Sequence, residues 1–279
     1  MTSEDATGGT GRSAEHVPDR ARAGWWPSPW SAAEVAAGKV SRGGLQADRG
    51  RVYWTESRPD EGGRQVVVGV DPGRRGTAAG TGSDGGAPPR GDVSPTGVSV
   101  RSRVHEYGGG SATVRDGVLF YVDQENQEWY RSDPGASGGP VRLTTTGGPE
   151  VRHADGRTTP DGRWLVSVEE RVSGTSATHR VVAVPTDGSG VRVVLVDDGA
   201  FVAAPRPSPD GRWLAWCTWD HPDMPWDATR LRVAPLMVEE GTIALGAPRD
   251  VAGGPGVSVG QPRWMADGGL VFVDDRSGW

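Results

Sequence analysis

The chain has 279 residues and a net charge of −6, a length sufficient for one large all-β domain or two small ones with a substantial core. Lys39 is the sole lysine and the arginines are dispersed among carboxylates, which excludes a nucleic-acid surface, while the single Cys217 excludes an intrachain disulfide or a thiolate metal cluster and fits a reducing compartment. The start of the chain lacks the basic and apolar stretches of a secretory signal, and no later run reaches about 18 apolar residues, so a cytoplasmic protein with no membrane partner is expected.

In chain order, residues 1–24 are expected to form a disordered tail before a single domain over 25–279. Ser31 to Ala37 is the one stretch with convincing 3.6-residue periodicity. Beyond it, 44 Gly and 22 Pro act as frequent punctuation and imply many short strands. Twelve Trp, each with an indole N–H to satisfy, are unusual, and several are expected between layers or in a cleft.

A repeat organises this region. TPDGRWLVSV (Thr159 to Val168) and SPDGRWLAWC (Ser208 to Cys217) are nearly the same, VRDGVLFYV (Val114 to Val122) and MADGGLVFV (Met265 to Val273) are weaker copies, and QADRGRVYW (Gln46 to Trp54) is a degenerate fifth. Each places Asp-Gly or a near equivalent before a short apolar run, the signature of a tight turn feeding a strand. The anchors Asp48, Asp116, Asp161, Asp210 and Asp267 are 68, 45, 49 and 57 residues apart. The long first interval holds a Gly/Pro/Arg-rich insertion at 72–91 that is expected to be a disordered loop.

A period near 40 to 50 residues with several strands per unit predicts an all-β fold, a β-propeller of four-stranded antiparallel blades. About four and a half blades are counted. In the fourth, Phe201 to Pro207 is predicted as the innermost strand, Trp213 to Trp219 as the second, Thr229 to Leu236 as the third and Ala247 to Val251 as the fourth. The last copy stops after its second strand, so an incomplete propeller, truncated in the fifth blade, is expected.

Two G-x-S-x-G matches, around Ser137 and Ser258, lack the strand-to-helix context of a nucleophile elbow and are expected to be loop or strand. Gly80 to Gly85 matches a dinucleotide glycine pattern with no strand before it and no helix after it. No cofactor is expected.

Two segments carry more chemistry. RVHEYGGGS brings His105, Glu106 and Tyr107 before three glycines that allow a close approach to the backbone. TWDHPDMPWD holds Asp220, His221, Asp223 and Asp227 between and beside Trp219 and Trp226. Their plain readings are a strand start with a satisfied His–Glu pair and a loop held by proline and tryptophan. Their functional reading follows from propeller geometry, which puts both at one mouth of the channel as substrate-facing or domain-docking residues. No metal site is expected, because His105 and His221 come from different blades and nothing fixes their separation. Glu169-Glu170, at the end of a second strand, reads either as a solvated turn or as a site for a peptide amine.

With these residues in place, WPSPWSAAEVAAG (Trp26 to Gly38), RVHEYGGG (Arg103 to Gly110), AAPRPSPDGRWLAW (Ala203 to Trp216) and WDHPDMPWD (Trp219 to Asp227) resemble the N-terminal propeller of bacterial dipeptidyl-peptidase and acylaminoacyl-peptidase relatives in the prolyl oligopeptidase family. The resemblance implies a serine hydrolase acting on short peptides. Its Ser-Asp-His triad would lie in a C-terminal α/β-hydrolase domain, and the propeller would restrict access and seat the substrate. None of the triad can be placed on this sequence, so the hydrolase domain is counted as a missing partner and the chain alone is expected to be inactive. The competing expectation is a stand-alone binding propeller of the Tol translocation type, whose export signal is lacking here.

Overall fold

The Asp-Gly anchors of the two clearest repeats shape their blades because both build the same turn. Asp161 Oδ1 accepts from Thr159 Oγ1 at 2.5 Å and from Arg163 N at 3.1 Å, and Asp210 repeats this with Ser208 Oγ and Arg212 N at the same distances. Gly162 and Gly211 follow at φ 73° and 74°, a left-handed conformation that only glycine adopts without strain. The turn therefore reverses the chain at a fixed place in these two repeats, whereas Asp116 itself stands at φ 54° in a two-residue turn and its N–H donates to Asp48 Oδ1 at 3.0 Å.

A computed structural model describes residues 28–32, 34, 38–73, 90–145, 148, 150–199 and 201–278. Two compact units divide the chain at Lys39/Val40. In the first, Ser31 and Glu34 form a reciprocal cap, with Ser31 N donating to Glu34 Oε2 at 2.8 Å and Glu34 N donating to Ser31 Oγ at 3.1 Å. The expected tail at 1–24, the glycine pattern at 80–85 and residues 74–89 of the insertion lie outside the described residues. The last residues of that insertion, Arg90 and Gly91, belong to a strand rather than a loop.

The second unit is an incomplete β-propeller. Blade one comprises β1 (Ser41–Asp48), β2 (Arg51–Arg58), β3 (Arg64–Val70) and β4 (Arg90–Asp92). Blade two comprises β5 (Ala112–Arg115), β6 (Val118–Val122), β7 (Trp129–Ser132) and β8 (Val141–Arg142). Blade three comprises β9 (Val151–Thr158), β10 (Trp164–Ser173), β11 (Ser176–Pro185) and β12 (Val193–Val196). Blade four comprises β13 (Phe201–Pro207), β14 (Trp213–Trp219), β15 (Ala228–Glu239), β16 (Thr242–Leu245) and β17 (Arg249–Pro255). A half-blade of β18 (Val259–Trp264) and β19 (Leu270–Asp274) follows.

All pairings within blades are antiparallel. Blade four departs from the sequence expectation at its outer side. The long β15 pairs with β16 through its last four residues and with β17 through its first half, so the fourth position is shared by two strands.

One apolar cluster fills each space between neighbouring blades. Tyr53 and Tyr121 belong to the cluster of blades one and two, Trp129 and Leu165 to that of two and three, Trp216 and Val166 to that of three and four, and Cys217 and Val259 to that of four and the half-blade. Burying one such Leu or Val fully is worth about 1.5–3 kcal/mol, so stability is spread over neighbour contacts. Trp129, Trp164 and Trp216 take the interlayer role, while Trp30 and Trp226 are exposed. Trp129 fits only because Gly156 lacks a Cβ, which would come within 2.6 Å of the indole.

The first strands of successive blades touch one another and form the inner ring. Three of them, β9, β13 and β18, carry a bulge at the same place, with Asp155, Ala204 and Gln261 at φ 56°, 52° and 55°. A bulge re-aims the side chains that follow it.

Candidate functional site

The RVHEYGGG segment is a turn that precedes the first strand of blade two. Gly108 N donates to Val104 O at 2.8 Å, and His105 and Glu106 sit at φ 55° and 66°. Gly108, at φ 90°, is required by the turn itself, and Gly109 and Gly110 by the next blade. A Cβ on Gly109 would meet Ala154 Cβ at 2.9 Å, and one on Gly110 would meet Asp155 Oδ1 at 2.7 Å. Gly110 N donates to that same oxygen at 2.7 Å.

His105 is not the satisfied partner of its neighbour Glu106, as the plain reading had it. Its backbone N–H donates to Glu170 Oε1 at 2.9 Å, while its ring Nε2 is buried without a hydrogen-bond partner. Burial, with the adjacent His179 adding, pushes the His105 imidazole down to about 4, so the ring is neutral at pH 7. It stands 4.8 Å from the His179 ring and 5.4 Å from Trp219, edge to face.

Glu170 is the centre of this cluster and was underread in the sequence. It is neither at a strand end nor solvated. It lies buried within β10, which continues to Ser173. The ladder register places Arg152 of β9 on one side of it and His179 of β11 on the other. Arg152 Nη1 donates to Glu170 Oε2 at 3.1 Å and to Glu106 Oε1 at 2.6 Å, and His179 Nε2 lies 2.9 Å from Glu170 Oε1. Burial raises the Glu170 carboxyl, but the His179 and His105 bonds outweigh it and hold it below the usual range. Glu169 points to the opposite face, where Arg192 Nε reaches it at 2.7 Å. Both carboxylates are thus occupied inside the blade.

Around this centre lies a cavity of about 530 Å³. His105, Glu106 and Tyr107 line one side, Phe201 and Trp219 the floor, and Met224 and Pro225 the far wall, while the β10–β11 hairpin tip from Gly174 to Ala177 closes it. Phe201 and Trp219 stack at 5.4 Å with 5° between their planes. The two sequence segments therefore do meet at one mouth.

They do not contribute all the residues expected of them. Asp220 is ion-paired with Arg230, Asp227 Oδ2 caps Met224 N at 3.0 Å, and Asp223 N donates to Asp220 O at 2.9 Å. These three carboxylate residues shape the loop. His221 and the exposed Trp226 do not line the cavity. Ligand atoms of His105, Glu170 and His179 lie within 4.8 Å of one another, yet the hydrogen bonds given above already engage Glu170 and His179. His221 is not in that group.

Neither serine match has a helix behind it. Ser137 lies in the loop between β7 and β8, and Ser258 directly precedes β18 and donates from Oγ to Pro225 O at 2.9 Å. Among the described residues no helix is long and apolar enough to cross a membrane.

The fold and the cavity define an incomplete β-propeller whose inner ring opens beside an aromatic, His- and Glu-containing pocket. No family model matches the chain, and no curated protein does. Among solved structures, a puromycin hydrolase matches with a TM-score of 0.74 and 32% identity over 91% of this chain and 39% of its own. A puromycin-hydrolyzing peptidase from Mycobacterium tuberculosis matches with a TM-score of 0.74 and 33% identity over 91% of this chain and 38% of its own. An oligogalacturonate lyase in complex with manganese shares the fold alone, at a TM-score of 0.53 and 18% identity over 81% of this chain and 56% of its own. The chain thus resembles the N-terminal propeller of a prolyl oligopeptidase-family peptidase, as its motifs indicated, and spans about two fifths of the puromycin-hydrolysing chains it matches.

Proposed function

We propose that this chain is the substrate-seating, non-catalytic propeller of a cytoplasmic serine peptidase acting on short peptides, and that hydrolysis belongs to an α/β-hydrolase domain docked at the His105 mouth. The observation that carries the reading is the cavity beside His105. It joins an apolar floor of Phe201 and Trp219 to one exposed carboxylate, Glu106, at its rim. Such a mixture suits a peptide with an aromatic or apolar side chain and a free amine. Glu170 serves by positioning, since its oxygens are filled by Arg152, His179 and the His105 N–H. Puromycin, the compound named for the similar hydrolases, combines an amine with an aromatic aminoacyl group and is the natural first probe.

The test is a titration of the purified chain with puromycin and with a short aromatic peptide, followed by tryptophan emission. Saturable quenching that Trp219→Ala and Tyr107→Ala each weaken supports the reading. Absence of binding by both compounds, or binding indifferent to both substitutions, favours a stand-alone scaffold propeller.

A further inference from the structure

The opposite end of the inner ring holds a second constellation, unrelated to the His105 cavity. Two residues after each of the three bulges stands an arginine: Arg157 in β9, Arg206 in β13 and Arg263 in β18. The register is the same in each blade, four residues before the anchor aspartate. Each guanidinium also makes the same local bond. Its Nη1 donates to the carbonyl of the residue before it, Gly156 at 2.6 Å, Pro205 at 2.8 Å and Pro262 at 3.0 Å. Three neighbouring strands thus carry arginines in one register with one local bond.

These arginines have no ion pair among the described residues, in contrast to most of the surface arginines. Arg206 Nε is buried without a hydrogen-bond partner. The carboxylate that acts on Arg157 and Arg206 is Asp155, whose Oδ1 accepts from Gly110 N at 2.7 Å and whose Oδ2 accepts from Ala204 N at 3.3 Å. Asp155 is therefore spent on the backbone and balances at most one of three positive charges. Cys217, the other titratable neighbour of Arg206, is held neutral by burial, which pushes its thiol up to about 12.

The repulsion is visible in Arg206. Burial, with Arg157 and Arg263 adding to it and Asp155 opposing, pulls it down to about 9. A guanidinium nevertheless stays charged at neutral pH. Beside Arg157 and Arg206 lies a cavity of about 310 Å³ bordered also by Arg115, Ser208 and Trp264, while Arg263, the residue before Trp264 on β18, stands outside its lining. Arg115 is engaged there with Pro160 O at 2.6 Å and with Asp116. The Trp264 indole, bonded to Arg206 O at 2.7 Å, fixes the strand that carries Arg206.

We propose that Arg157, Arg206 and Arg263 form a binding site for a compact oxyanion, a phosphate or a carboxylate, at the turn end of the propeller's inner ring. Planar guanidiniums with donors to spare match such anions in geometry as well as charge. The site lies one strand length, about 20 Å, from the His105 cavity, so it is distinct from the proposed peptide seat.

The experiment uses inorganic phosphate as the probe, titrated into the chain at constant ionic strength with chloride as the reference and followed by calorimetry and thermal melting. Wild type is expected to bind saturably and melt higher in phosphate. Arg206→Gln is expected to weaken binding about tenfold or more. Arg263→Gln, an exposed position whose loss leaves the fold intact, is expected to weaken it several-fold, whereas Arg49→Gln on the same turn face leaves it unchanged. A short peptide with a free C-terminus and its C-terminal amide then identify the source. Competition with phosphate by the acid alone assigns the site to a peptide carboxylate, and binding of phosphate with competition by neither assigns it to free phosphate. No saturable binding, or binding equal in wild type and both variants, overturns the proposal.

Discussion

Glu170 and His179 face each other across the β10–β11 ladder, with His179 Nε2 2.9 Å from Glu170 Oε1. A carboxylate only accepts, so Nε2 carries the proton and the ring is oriented by the bond. Removing the carboxylate leaves Arg152 and the His105 N–H without their buried acceptor. Glu170→Ala is expected to cost roughly 3–5 kcal/mol, and Glu170→Gln less, because an amide oxygen still accepts. Urea unfolding of both variants at pH 7 checks the order. Equal loss in the two would mean that acceptor geometry is not what Glu170 supplies.

The acid limb of stability should carry two signatures. His105 is lowered from 6.5 to about 4, so the unfolded chain takes up its proton first. The contribution is whole above pH 6.5 and fades as pH falls towards 4. Its ceiling is about 3 kcal/mol, and roughly 1–2 kcal/mol is expected because the ring is only partly buried. Glu170, also lowered, is lost next, as pH falls from about 4.5 through its folded value. His105→Asn keeps the left-handed turn, which asparagine tolerates, and should flatten the upper part of the curve alone. Urea midpoints between pH 7 and 4 provide the comparison.

The sequence made the inner hairpins of the blades legible because turn chemistry is local: a glycine at positive φ follows the anchor in each, and at Asp161 and Asp210 the carboxylate also accepts within the turn. His105, Glu106, Tyr107 and Trp219 were legible because each lies nine to eleven residues, one strand and its turn, from a blade anchor. His179 was missed, and Glu170 was read as a strand-end carboxylate, although a signal existed. Ser173-Gly174-Thr175-Ser176 is a two-residue hairpin loop, with Gly174 at φ 60°, and its register alone sets Glu170 opposite His179. The arginine row was equally visible in RTTPDG, RPSPDG and RWMADG. What no local pattern discloses is which carboxylates already have partners. Asp220 and Asp227 looked like site residues until Arg230 and the Met224 N–H were found on them.

Interlayer packing offers a sharp mutational cycle. A Cβ on Gly156 would lie 2.6 Å from the Trp129 ring, so Gly156→Ala is expected to destabilise by about 1–3 kcal/mol through overpacking. Trp129→Phe frees that space at the expense of a cavity. The double variant should therefore lose less than the two single losses combined, with a coupling of about 1 kcal/mol or more by denaturant titration. Simple additivity would show that blade three yields at Gly156 without the indole.

Ser258 should prove structural. Its hydroxyl ties blade five to the carbonyl of Pro225, which also accepts from Thr229 Oγ1 at 2.5 Å. Ser258→Ala is expected to cost about 0.5–1.5 kcal/mol and to speed amide exchange around Met224 to Asp227. Neither Ser137→Ala nor Ser258→Ala should alter the turnover of a chromogenic aminoacyl substrate, which is expected to be nil in all three proteins. Turnover abolished by either substitution would establish a nucleophile in this chain.

The outer side of β19 is the last feature with a measurable consequence. Among the described residues this strand pairs with β18 and with no other strand, and Val271 and Val273 are 48% and 61% exposed. An unpaired edge with apolar side chains is a template for another chain, and lysine on such an edge blocks the pairing by charge and by desolvation. The isolated chain is therefore expected to associate as its concentration rises, and Val271→Lys with Val273→Lys to shift it towards monomer without lowering its melting temperature, because both side chains contribute little buried area. The Cys217 and Val259 cluster beneath them stays intact in that variant. Sedimentation velocity over a hundredfold concentration range separates the outcomes. A wild-type chain that stays monomeric throughout, or an associating chain that the two lysines leave unchanged, would move the association surface away from β19.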